Sequence, residues 1–545
     1  MGGNFMRKVE DRPTPPEVYN WKIYLVAAVA SAGAATIGYD SAFIGGTMAL
    51  PAFRKDMGFD TMGKTEVNLI SANIVSCYQA GAFFGAFGAY PAGHFLGRRI
   101  GLIIFALLFM LGAGIMLATD SDSGLGFLYG GRVVAGLAVG AISNLIPIYL
   151  AEISPPAIRG RLVGMWEIGW QSGGLVGFWI NYGLTQHMAP SRQQWIIPFA
   201  VQLIPGGLLA IGAFFLPETP RWLLSAGRRE KAIETLCFLR GLPKDHPYLL
   251  TEVQMTDDAL EHLKRTIGIK FSGPFKEVYQ NRKIAYRFFL GGALFFWQNG
   301  SGINAINYYS PTVFRSIGIT GTSTGLLTTG IFGCLKTFFT FVWIMVMIDQ
   351  FGRRKLLMIG ALGGSLSLWV VGGYIAVAKP QNNPSGTLSG GGIAAMVFFY
   401  IYTIFYTPSW SGTPWVVNSE MFDQNVRTLA QAFAAGNNWF WNFIVARFTP
   451  QMFAQMQYGV WFFFASLQLL SIPFVYFLLP ETKSVPLESM DLLFDRSLKP
   501  RKAHKHVMLQ VQENGEHMQA DIMESMGSKG QATQVEQLPA KQMQV

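Results

Sequence analysis

Charged residues are scarce in this chain, and their scarcity indicates its class. Only 14% of the 545 residues are Asp, Glu, Lys or Arg, whereas soluble domains carry about 25%, and half of the residues are hydrophobic. Cysteine is rarer still. Cys77 and Cys334 fall in apolar segments and Cys237 in a charged one, so we expect no structural disulfide. The composition therefore predicts a membrane protein.

Motifs for catalysis and cofactor binding are also missing from the sequence. It has no phosphate-binding glycine loop, no cluster of metal ligands and no catalytic triad in a suitable context. We therefore expect neither an enzyme nor an ATP-driven pump, with no catalytic residue, no metal and no cofactor. The net charge of +10 does not indicate a nucleic-acid partner, because the cations are spread over alternate loops.

Apolar runs long enough to cross a bilayer are abundant. They predict an all-α protein that lies in the lipid bilayer, with twelve transmembrane spans. The spans fall at about 23–46, 67–90, 101–119, 127–150, 163–184, 193–216, 286–311, 324–348, 356–378, 391–418, 428–449 and 459–480. Residues 1–22 are polar and rich in proline, so we expect no cleavable signal peptide.

The few cations fall on one side of the predicted spans. They cluster at Arg98–Arg99, Arg159 with Arg161, Arg353–Lys355, and Arg427, all in alternate short loops. By the positive-inside rule these loops lie in the cytosol, together with the long segment 217–285. We therefore expect a multi-pass protein of the plasma membrane with both termini in the cytosol.

Short motifs occur twice, about 255 to 268 residues apart. The repeated motifs are Gly97–Arg99 with Gly352–Arg354, Glu152 and Arg159 with Glu420 and Arg427, and Pro217–Thr219 with Pro480–Thr482. An internal repeat of this length indicates two six-span halves related by duplication. Such halves are typical of carriers that rock about a midplane binding site.

The repeat and the spans divide the chain into five parts. We predict a cytosolic N-terminus at 1–22, a six-helix bundle at 23–216, a cytosolic helical linker at 217–285, a second six-helix bundle at 286–480 and a cytosolic tail at 481–545. Residues beyond about 498 are rich in Gln, Glu, Lys and Met without apolar periodicity. We expect that part of the tail to be disordered.

Span 7 is unusually polar for a membrane segment. Its polar side chains, all within ten residues, are Gln298, Asn299, Ser301, Asn304 and Asn307. Hydrocarbon offers these groups no water, so each needs a protein partner, a cavity or a ligand. Gly300 and Gly302 weaken the helix at the same place. The alternative is hydrogen bonding between helices, but so many uncharged donors and acceptors favour a binding site for a polyhydroxylated molecule.

The motifs also occur in the order of a known family. They include Gly131–Arg132, Pro147–Glu152, Pro217–Trp222, Gln298 with Gly302–Asn304, Asp349–Arg354 and Pro480–Lys483. Through them the sequence resembles the sugar porter family of the major facilitator superfamily over about residues 20–495, and within it the fungal quinate permease-like branch. The resemblance implies the major facilitator fold and transport by alternating access. One departure is the acid before Gly97–Arg99, which the family usually has and this chain lacks.

The resemblance adds residues to the predicted binding cavity. Glu167 stands where most sugar porters place glutamine, Trp415 matches a tryptophan that stacks on the sugar ring, and Asn438 lies where the family has a polar contact. We therefore expect a cavity lined by Gln298, Asn299, Asn304, Asn307, Glu167, Gln171, Trp415 and Asn438. Lys336 lies near the bilayer centre and either pairs with Glu167 or faces a substrate carboxylate.

Asp40 in span 1 and Arg132 in span 4 are the predicted proton-coupling residues. A carboxylate at the membrane centre costs about 2.5–3.5 kcal/mol on insertion scales unless it is paired or protonated. Proton-coupled members of the family have an acid and an arginine at these two positions. A static buried ion pair is the alternative.

Acidic and basic residues recur at the predicted cytosolic ends of both halves. Their repeated spacing predicts a salt-bridge network that closes the cytosolic side and breaks when the carrier opens inward. The predicted gate comprises Glu152, Arg159, Glu218, Asp349, Arg353, Glu420, Arg427 and Glu481.

Together these features predict a proton symporter that imports a small polyhydroxylated solute, with the proton and the solute as its partners. We expect a hexose or pentose, and the alternative solute is quinate or a sugar acid. A nutrient sensor on the same scaffold ranks below both, because sensors of this type often carry much longer cytosolic tails. The oligomeric state does not follow from the sequence.

Overall fold

A computed structural model describes most of the chain. The described residues are 14–122, 124–155, 158–266, 271–319, 321–380, 389–422, 426–483, 485, 490–495 and 498–510. Within them, the side chains of 159–161, 259, 262–263, 266 and 348–349 are not described. Two residues of the predicted gate, Arg159 and Asp349, therefore have no described side chain.

Helices are the regular structure of the described residues, and twelve long ones follow the predicted spans. They are α1 Trp21–Ala49, α2 Lys64–Phe95, α3 Arg98–Leu117, α4 Gly126–Ile153, α5 Arg159–His187, α6 Arg192–Phe215, α7 Arg282–Gly300 continued by Ile303–Ser316, α8 Thr322–Met347, α9 Arg353–Ala378, α10 Gly390–Met421, α11 Arg427–Met456 and α12 Gly459–Leu478.

Nine of the twelve helices are apolar enough to cross a membrane by composition alone, counted over the described residues. The other three are α5, α7 and α11. These three contain many of the polar residues predicted to bind substrate, including Glu167, Gln298 and Asn438. Their low hydropathy is therefore the mark of helices that face a polar interior as well as lipid.

Two pairs of helices in the first half pack with their backbones in contact. A side chain at Gly38 of α1 would overlap the carbonyl of Trp170 in α5, and one at Gly140 of α4 would overlap the carbonyl of Ala82 in α2. Glycine is needed at both positions because it lets helices approach closely. The first half thus contains two tight units, the α1–α5 pair and the α2–α4 pair.

Helix α7 is broken where its glycines were expected to weaken it. The helix stops at Gly300 and restarts at Ile303, with Gly302 in a left-handed conformation at φ +84°. A Cβ atom at Gly302 would also approach the ring of Phe464 to 2.7 Å. The break frees polar backbone groups in mid-bundle, and the Tyr402 hydroxyl satisfies one of them by donating to the carbonyl of Ser301 at 3.0 Å.

The linker forms four helices, of which the part around Arg240 is tied to the first half, whereas Val278 of the last helix packs against the core of the second half. They are Pro220–Ser225, Arg229–Arg240, Pro247–Thr266 and Gly273–Gln280. Arg240 is buried, pairs with Glu252 at 2.6 Å and donates to the carbonyl of Ile153 at the end of α4 at 2.8 Å. The guanidinium thus caps a carbonyl at the C-terminus of α4 that has no partner within the helix. Its positive charge also interacts favourably with the negative end of the helix dipole.

The prediction of disorder beyond about residue 498 is wrong for the start of the tail. Residues 500–510 are helical, and Ala503 and Val507 are buried in the core of the second half. Two apolar positions four residues apart gave too weak a periodic signal in a polar stretch, and the partners that bury them lie elsewhere in the chain. Residues 511–545, like residues 1–13, lie outside the described residues.

Candidate functional site

A cavity lies between the two halves at the level of the α7 break. Both halves contribute side chains to its wall, and the residues that line it are a mixture of polar and aromatic groups. The second half contributes the predicted residues Gln298, Asn304, Asn307, Lys336, Trp415 and Asn438 to its wall. The first half contributes Glu167 and Gln171.

Four asparagines form a directional chain of hydrogen bonds along this wall. Asn307 donates to Asn304 at 3.3 Å, Asn304 to Asn299 at 2.6 Å, and Asn299 to Asn438 at 3.3 Å. Asn299 is buried behind the wall, so it positions the side chains of Asn304 and Asn438. Each amide thus holds its neighbour at a fixed rotamer, as a preorganised polar site requires.

Gln298 is held by α10 where that helix leaves regular α geometry. Its amide N–H groups donate to the carbonyls of Trp410 at 2.8 Å and Ser411 at 2.7 Å. Those carbonyls are free because the residues 407–411 form a π-helical turn. Two buried acceptors of α7, Gln298 Oε1 and Asn307 Oδ1, have no hydrogen-bond partner among the described residues. Both belong to side chains that line the cavity.

Glu167 and Lys336 lie on the cavity wall in α5 and α8. The Glu167 carboxylate accepts hydrogen bonds from Gln171 at 2.9 Å and from Ser411 at 3.2 Å. Among the described residues, the ammonium of Lys336 forms no ion pair within 4.0 Å, although it feels the charge of Glu167. The cavity wall therefore contains a buried ammonium group that no described carboxylate contacts directly, and we call this its open ion-pair position.

Aromatic rings from both halves border the cavity. Trp415 packs edge-on against Phe295 at 4.7 Å and against Trp166 at 5.8 Å. Trp170, which also lines the cavity, stacks on the buried Trp439 at 6.3 Å. Such rings offer flat apolar faces to the C–H side of a ring-shaped polyol.

Asp40 and Arg132 form a buried ion pair beside the cavity. Arg132 Nη1 donates to Asp40 Oδ1, and neither side chain is exposed. Arg132 is also held by α2, because its Nε donates to the carbonyl of Ile74 at 3.1 Å and its guanidinium lies 4.5 Å from the ring of Tyr78. Asp40 Oδ2 and Arg132 Nη2 have no further partner among the described residues, so the pair lacks full compensation.

The predicted gate residues with described side chains lie at the helix ends that carry Arg98 in the first half and Arg353 in the second, which we call the basic end. Arg98 pairs with Glu152 at 2.8 Å, and Arg353 pairs with Glu420 at 2.7 Å. Each ion pair joins two helices of the same half: Arg98 and Glu152 belong to the first half, and Arg353 and Glu420 to the second. The guanidinium of Arg427 donates to the carbonyl of Phe422 at 3.2 Å. These contacts fix the helix ends of each half, so opening between the halves would leave them intact.

Two further gate acids, Glu218 and Glu481, cap helices, and Asp349 is the one without a described side chain. Glu218 accepts from the backbone N–H groups of Arg98 at 3.0 Å and Arg99 at 3.1 Å, at the start of α3. Glu481 accepts from Arg353 at 2.9 Å and Arg354 at 3.0 Å, at the start of α9. A carboxylate at a helix N-terminus satisfies free N–H groups and the helix dipole. Burial raises the pKa of Glu218, although these N–H groups act in the opposite direction.

Several lining residues escaped the sequence analysis, among them Ser41, Trp170, Tyr308, Ser411 and Asn442. Asn442 had a usable signal, since it lies one turn beyond Asn438 on α11. Tyr308 and Trp170 lie in stretches that the analysis singled out without assigning them. Ser411 had no signal, because only the π-helical turn of α10 brings its hydroxyl to Glu167.

Comparison with known proteins gives consistent matches along the chain. The family described as sugar (and other) transporter matches residues 26–494. The chain is 64% identical to the probable quinate permease of Neosartorya fischeri, covering 97% of this chain and 98% of that one. It is 61% identical to the probable quinate permease of Aspergillus niger, covering 99% and 100%.

Solved structures match at lower identity. The proton:xylose symporter XylE bound to 6-bromo-6-deoxy-D-glucose is 27% identical, with a TM-score of 0.72, covering 87% of this chain and 99% of that one. The inward open xylose transporter XylE from E. coli is 26% identical, with a TM-score of 0.69, covering 87% and 100%. These matches confirm the predicted all-α fold of two six-helix halves.

Proposed function

Because the chain belongs to the sugar (and other) transporter family of the major facilitator superfamily, we propose that it imports a polyhydroxylated carboxylate of the quinate type together with a proton. Membership makes it a membrane transporter and excludes an enzyme. The identity of the solute and the coupling to protons are the proposed part.

The observation that carries the proposal is the open ion-pair position of Lys336. A buried lysine in mid-membrane is costly unless an anion compensates it. Glu167 is already engaged by Gln171 and Ser411, so a substrate carboxylate is the better partner for the ammonium. The relatives named probable quinate permeases agree with this assignment at 61–64% identity. We therefore place the carboxylate ahead of the neutral sugar expected from the sequence.

The rest of the cavity suits the hydroxyl groups of such a solute. Gln298 Oε1 and Asn307 Oδ1 can accept hydrogen bonds from hydroxyls, since neither has a partner among the described residues. The asparagine chain holds Asn307 in place, the carbonyls of α10 hold Gln298, and the ring of Trp415 offers its face to the apolar side of the solute ring. One cation, several amides and an aromatic face match one carboxylate, several hydroxyls and a carbon ring.

Proton coupling follows from the Asp40–Arg132 pair and from the charge of the solute. A proton on Asp40 removes one charge of the pair, releases Arg132 and so biases the first half toward a second packing. Importing an anion alone against an inside-negative potential costs about 2.3 kcal/mol per charge for each 100 mV. Co-import of one proton makes the cycle electrically neutral, which favours symport for an anionic solute.

A neutral monosaccharide is the second candidate. Lys336 and Glu167 attract each other across the cavity and together leave it neutral. The solved relative at 27% identity is named a proton:xylose symporter and holds a glucose derivative. A nutrient sensor on this scaffold ranks third. We place the carrier in the plasma membrane with its basic end and both termini in the cytosol, as the distribution of cations favours.

Uptake of labelled quinate in cells stripped of their own carriers tests the proposal. We expect uptake that rises as the external pH falls and that excess quinate inhibits more strongly than glucose, xylose or galacturonate. Stronger inhibition by glucose or xylose would establish the second candidate. Binding without uptake of any of the four solutes would establish the sensor.

A further inference from the structure

The residue that carries this inference is Trp439 of α11, which belongs to the second half but lies in the core of the first. Its indole is fully buried in a hydrophobic cluster formed mainly by α1 to α6, which also includes a few residues of α7, α8 and α11. It neither lines the cavity nor touches Asp40 or Arg132. A large side chain from one half inserted into the other half must move relative to its surroundings whenever the halves rock.

Trp439 contacts both tight helix pairs of the first half. Its ring stacks on Trp170 of α5 at 6.3 Å with an interplanar angle of 18°. Its ring also meets the edge of Tyr78 of α2 at 5.9 Å, and its Nε1 donates to Ser143 of α4 at 3.1 Å. Trp439 is therefore wedged between the α1–α5 pair and the α2–α4 pair.

The Asp40–Arg132 ion pair bridges the same two helix pairs. Asp40 lies on α1, and Arg132 lies on α4 with its guanidinium held by Ile74 and Tyr78 of α2. Each helix pair is rigid, because its backbones touch at glycines. A change in the spacing of the pairs must therefore act on the ion pair and on the wedge together.

The groups around the ion pair are phenols and a thiol, and the next cation is Arg447 of α11, whose charge acts on Cys77 and Tyr309. The titratable neighbours are Tyr39 of α1, Cys77 and Tyr78 of α2, and Tyr308 and Tyr309 of α7. Tyr78 faces both members of the pair and the wedge, and its hydroxyl has no partner among the described residues. Its ring, not its hydroxyl, makes the contacts that matter.

We propose that Trp439 and Tyr78 are positioning residues that couple the state of the cavity to proton binding at Asp40. A solute in the cavity fixes the position of the Trp170 ring on the cavity wall. Trp170 in turn positions the ring of Trp439 that stacks on it, and Trp439 positions the ring of Tyr78 next to the guanidinium of Arg132. Movement of that ring weakens the hold of α2 on Arg132 and so changes the proton affinity of Asp40. This rests on the proposed proton symport and adds the link between the two sites.

Purified protein in liposomes separates coupling from transport. Two rates are measured with labelled quinate: accumulation driven by an inward pH gradient, and exchange at equal pH on both sides. Their ratio reports coupling, whereas loss of folding or binding lowers both rates. We expect Trp439→Leu and Tyr78→Leu to keep exchange while the ratio falls by about tenfold, a typical coupling energy between sites. Tyr78→Phe keeps the ring and should restore the ratio.

Trp461→Leu is the matched control. Trp461 is equally buried in the second half, where it packs on Phe399 at 4.9 Å and Phe453 at 5.4 Å, away from the ion pair. It should leave the ratio unchanged even if it lowers stability. Ser143→Ala removes only the acceptor of the Trp439 N–H, and it should lower the ratio even if the leucine variants do not fold.

The outcomes divide cleanly. A wild-type protein that exchanges quinate but does not accumulate it with a pH gradient would overturn proton symport, and the coupling with it. A wild-type protein that accumulates quinate, together with an unchanged ratio in Ser143→Ala and in each leucine variant that folds, would overturn the coupling alone. If Trp461→Leu lowered the ratio equally, the coupling role of Trp439 and Tyr78 would also be overturned, because a general loss of packing would then explain the effect.

Discussion

The hydroxyl of Ser411 donates a 3.2 Å hydrogen bond to the carboxylate of Glu167, so the second half contacts the first across the cavity wall. The same carboxylate oxygen accepts from Gln171 at 2.9 Å. Glu167 therefore has two neutral donors beside the charge of Lys336. This division of partners is what leaves the lysine available to a substrate.

Replacing Lys336 tests the charge of the solute. Lys336→Met should abolish uptake of quinate, because the carboxylate loses its cation. The double variant Lys336→Met with Glu167→Gln should stay inactive, whereas Lys336→Arg should keep part of the uptake. Initial rates of labelled quinate uptake at matched surface expression provide the measurement.

A neutral-sugar carrier would behave differently. In such a carrier, Lys336→Met leaves the buried carboxylate of Glu167 without a compensating cation and abolishes transport. The double variant Lys336→Met with Glu167→Gln removes that charge and regains part of the transport. Recovery of glucose or xylose uptake in the double variant, with no effect of either change on quinate, would contradict our assignment of Lys336.

The amides of α7 should contribute directly to binding. Gln298→Ala and Asn304→Ala should each weaken binding of the solute by about 1–3 kcal/mol, because a buried hydrogen-bonding partner is lost. Asn437→Ala is the control, since the Asn437 amide donates to the carbonyl of Phe433 on its own helix at 2.9 Å. Half-saturation for uptake gives the comparison. Equal half-saturation concentrations in all three variants would indicate that the amides of α7 serve helix packing and do not bind the solute.

Asp40 should separate coupled from uncoupled transport. Asp40→Asn removes the carboxylate that can take up a proton while keeping the size of the side chain and a hydrogen-bond acceptor for Arg132. We expect loss of accumulation against a gradient, with exchange of internal and external solute retained. Accumulation that remains sensitive to a protonophore in this variant would rule out Asp40 as the coupling site and favour the static ion pair.

Glu218 gives a pH dependence that lies outside the membrane spans. Burial raises its pKa in the folded state, so the stability it contributes is complete below its unfolded pKa and is lost as the pH rises through the folded value. Glu218→Gln cannot titrate, and its one amide oxygen still accepts from the N–H group of Arg98, whereas the N–H group of Arg99 loses its acceptor. The Tm of wild type relative to this variant should therefore decrease from acid to neutral pH. Glu218→Ala, which leaves the N–H groups without an acceptor, should be less stable at every pH.

Features that depend on a polar residue in an apolar run could be predicted from the sequence. Gln298, Lys336 and the Asp40–Arg132 pair stood out because the membrane makes such residues costly, and the structure places them at or beside one cavity. Ser411 could not be predicted, since its position depends on a local change of helix geometry. The same holds for Trp439, because a tryptophan in a membrane span looks like ordinary packing until its neighbours in the other half are known.

Long-range caps were also beyond the sequence. Arg240 and Arg287 donate to the last carbonyls of α4 and α10, Ile153 and Met421, from positions 87 and 134 residues away. Arg287 is further paired with Asp491 in the tail. Charged residues in a linker or at the start of a span normally indicate only topology, so nothing in the pattern marked these two as buried.

The docking of the linker on the first half has a practical consequence for expressing the carrier in pieces. Arg240 ties the linker to α4, and Asn20 ties it to the start of α1 by donating to the carbonyl of Leu239 at 3.0 Å. The linker helices between Pro220 and Thr266 therefore travel with the first half, and a division into 1–270 and 271–545 keeps both anchors intact. Two such fragments, co-expressed with different fluorescent tags, should associate in the membrane and restore uptake. Fragments divided at residue 217 would leave the linker on the wrong piece.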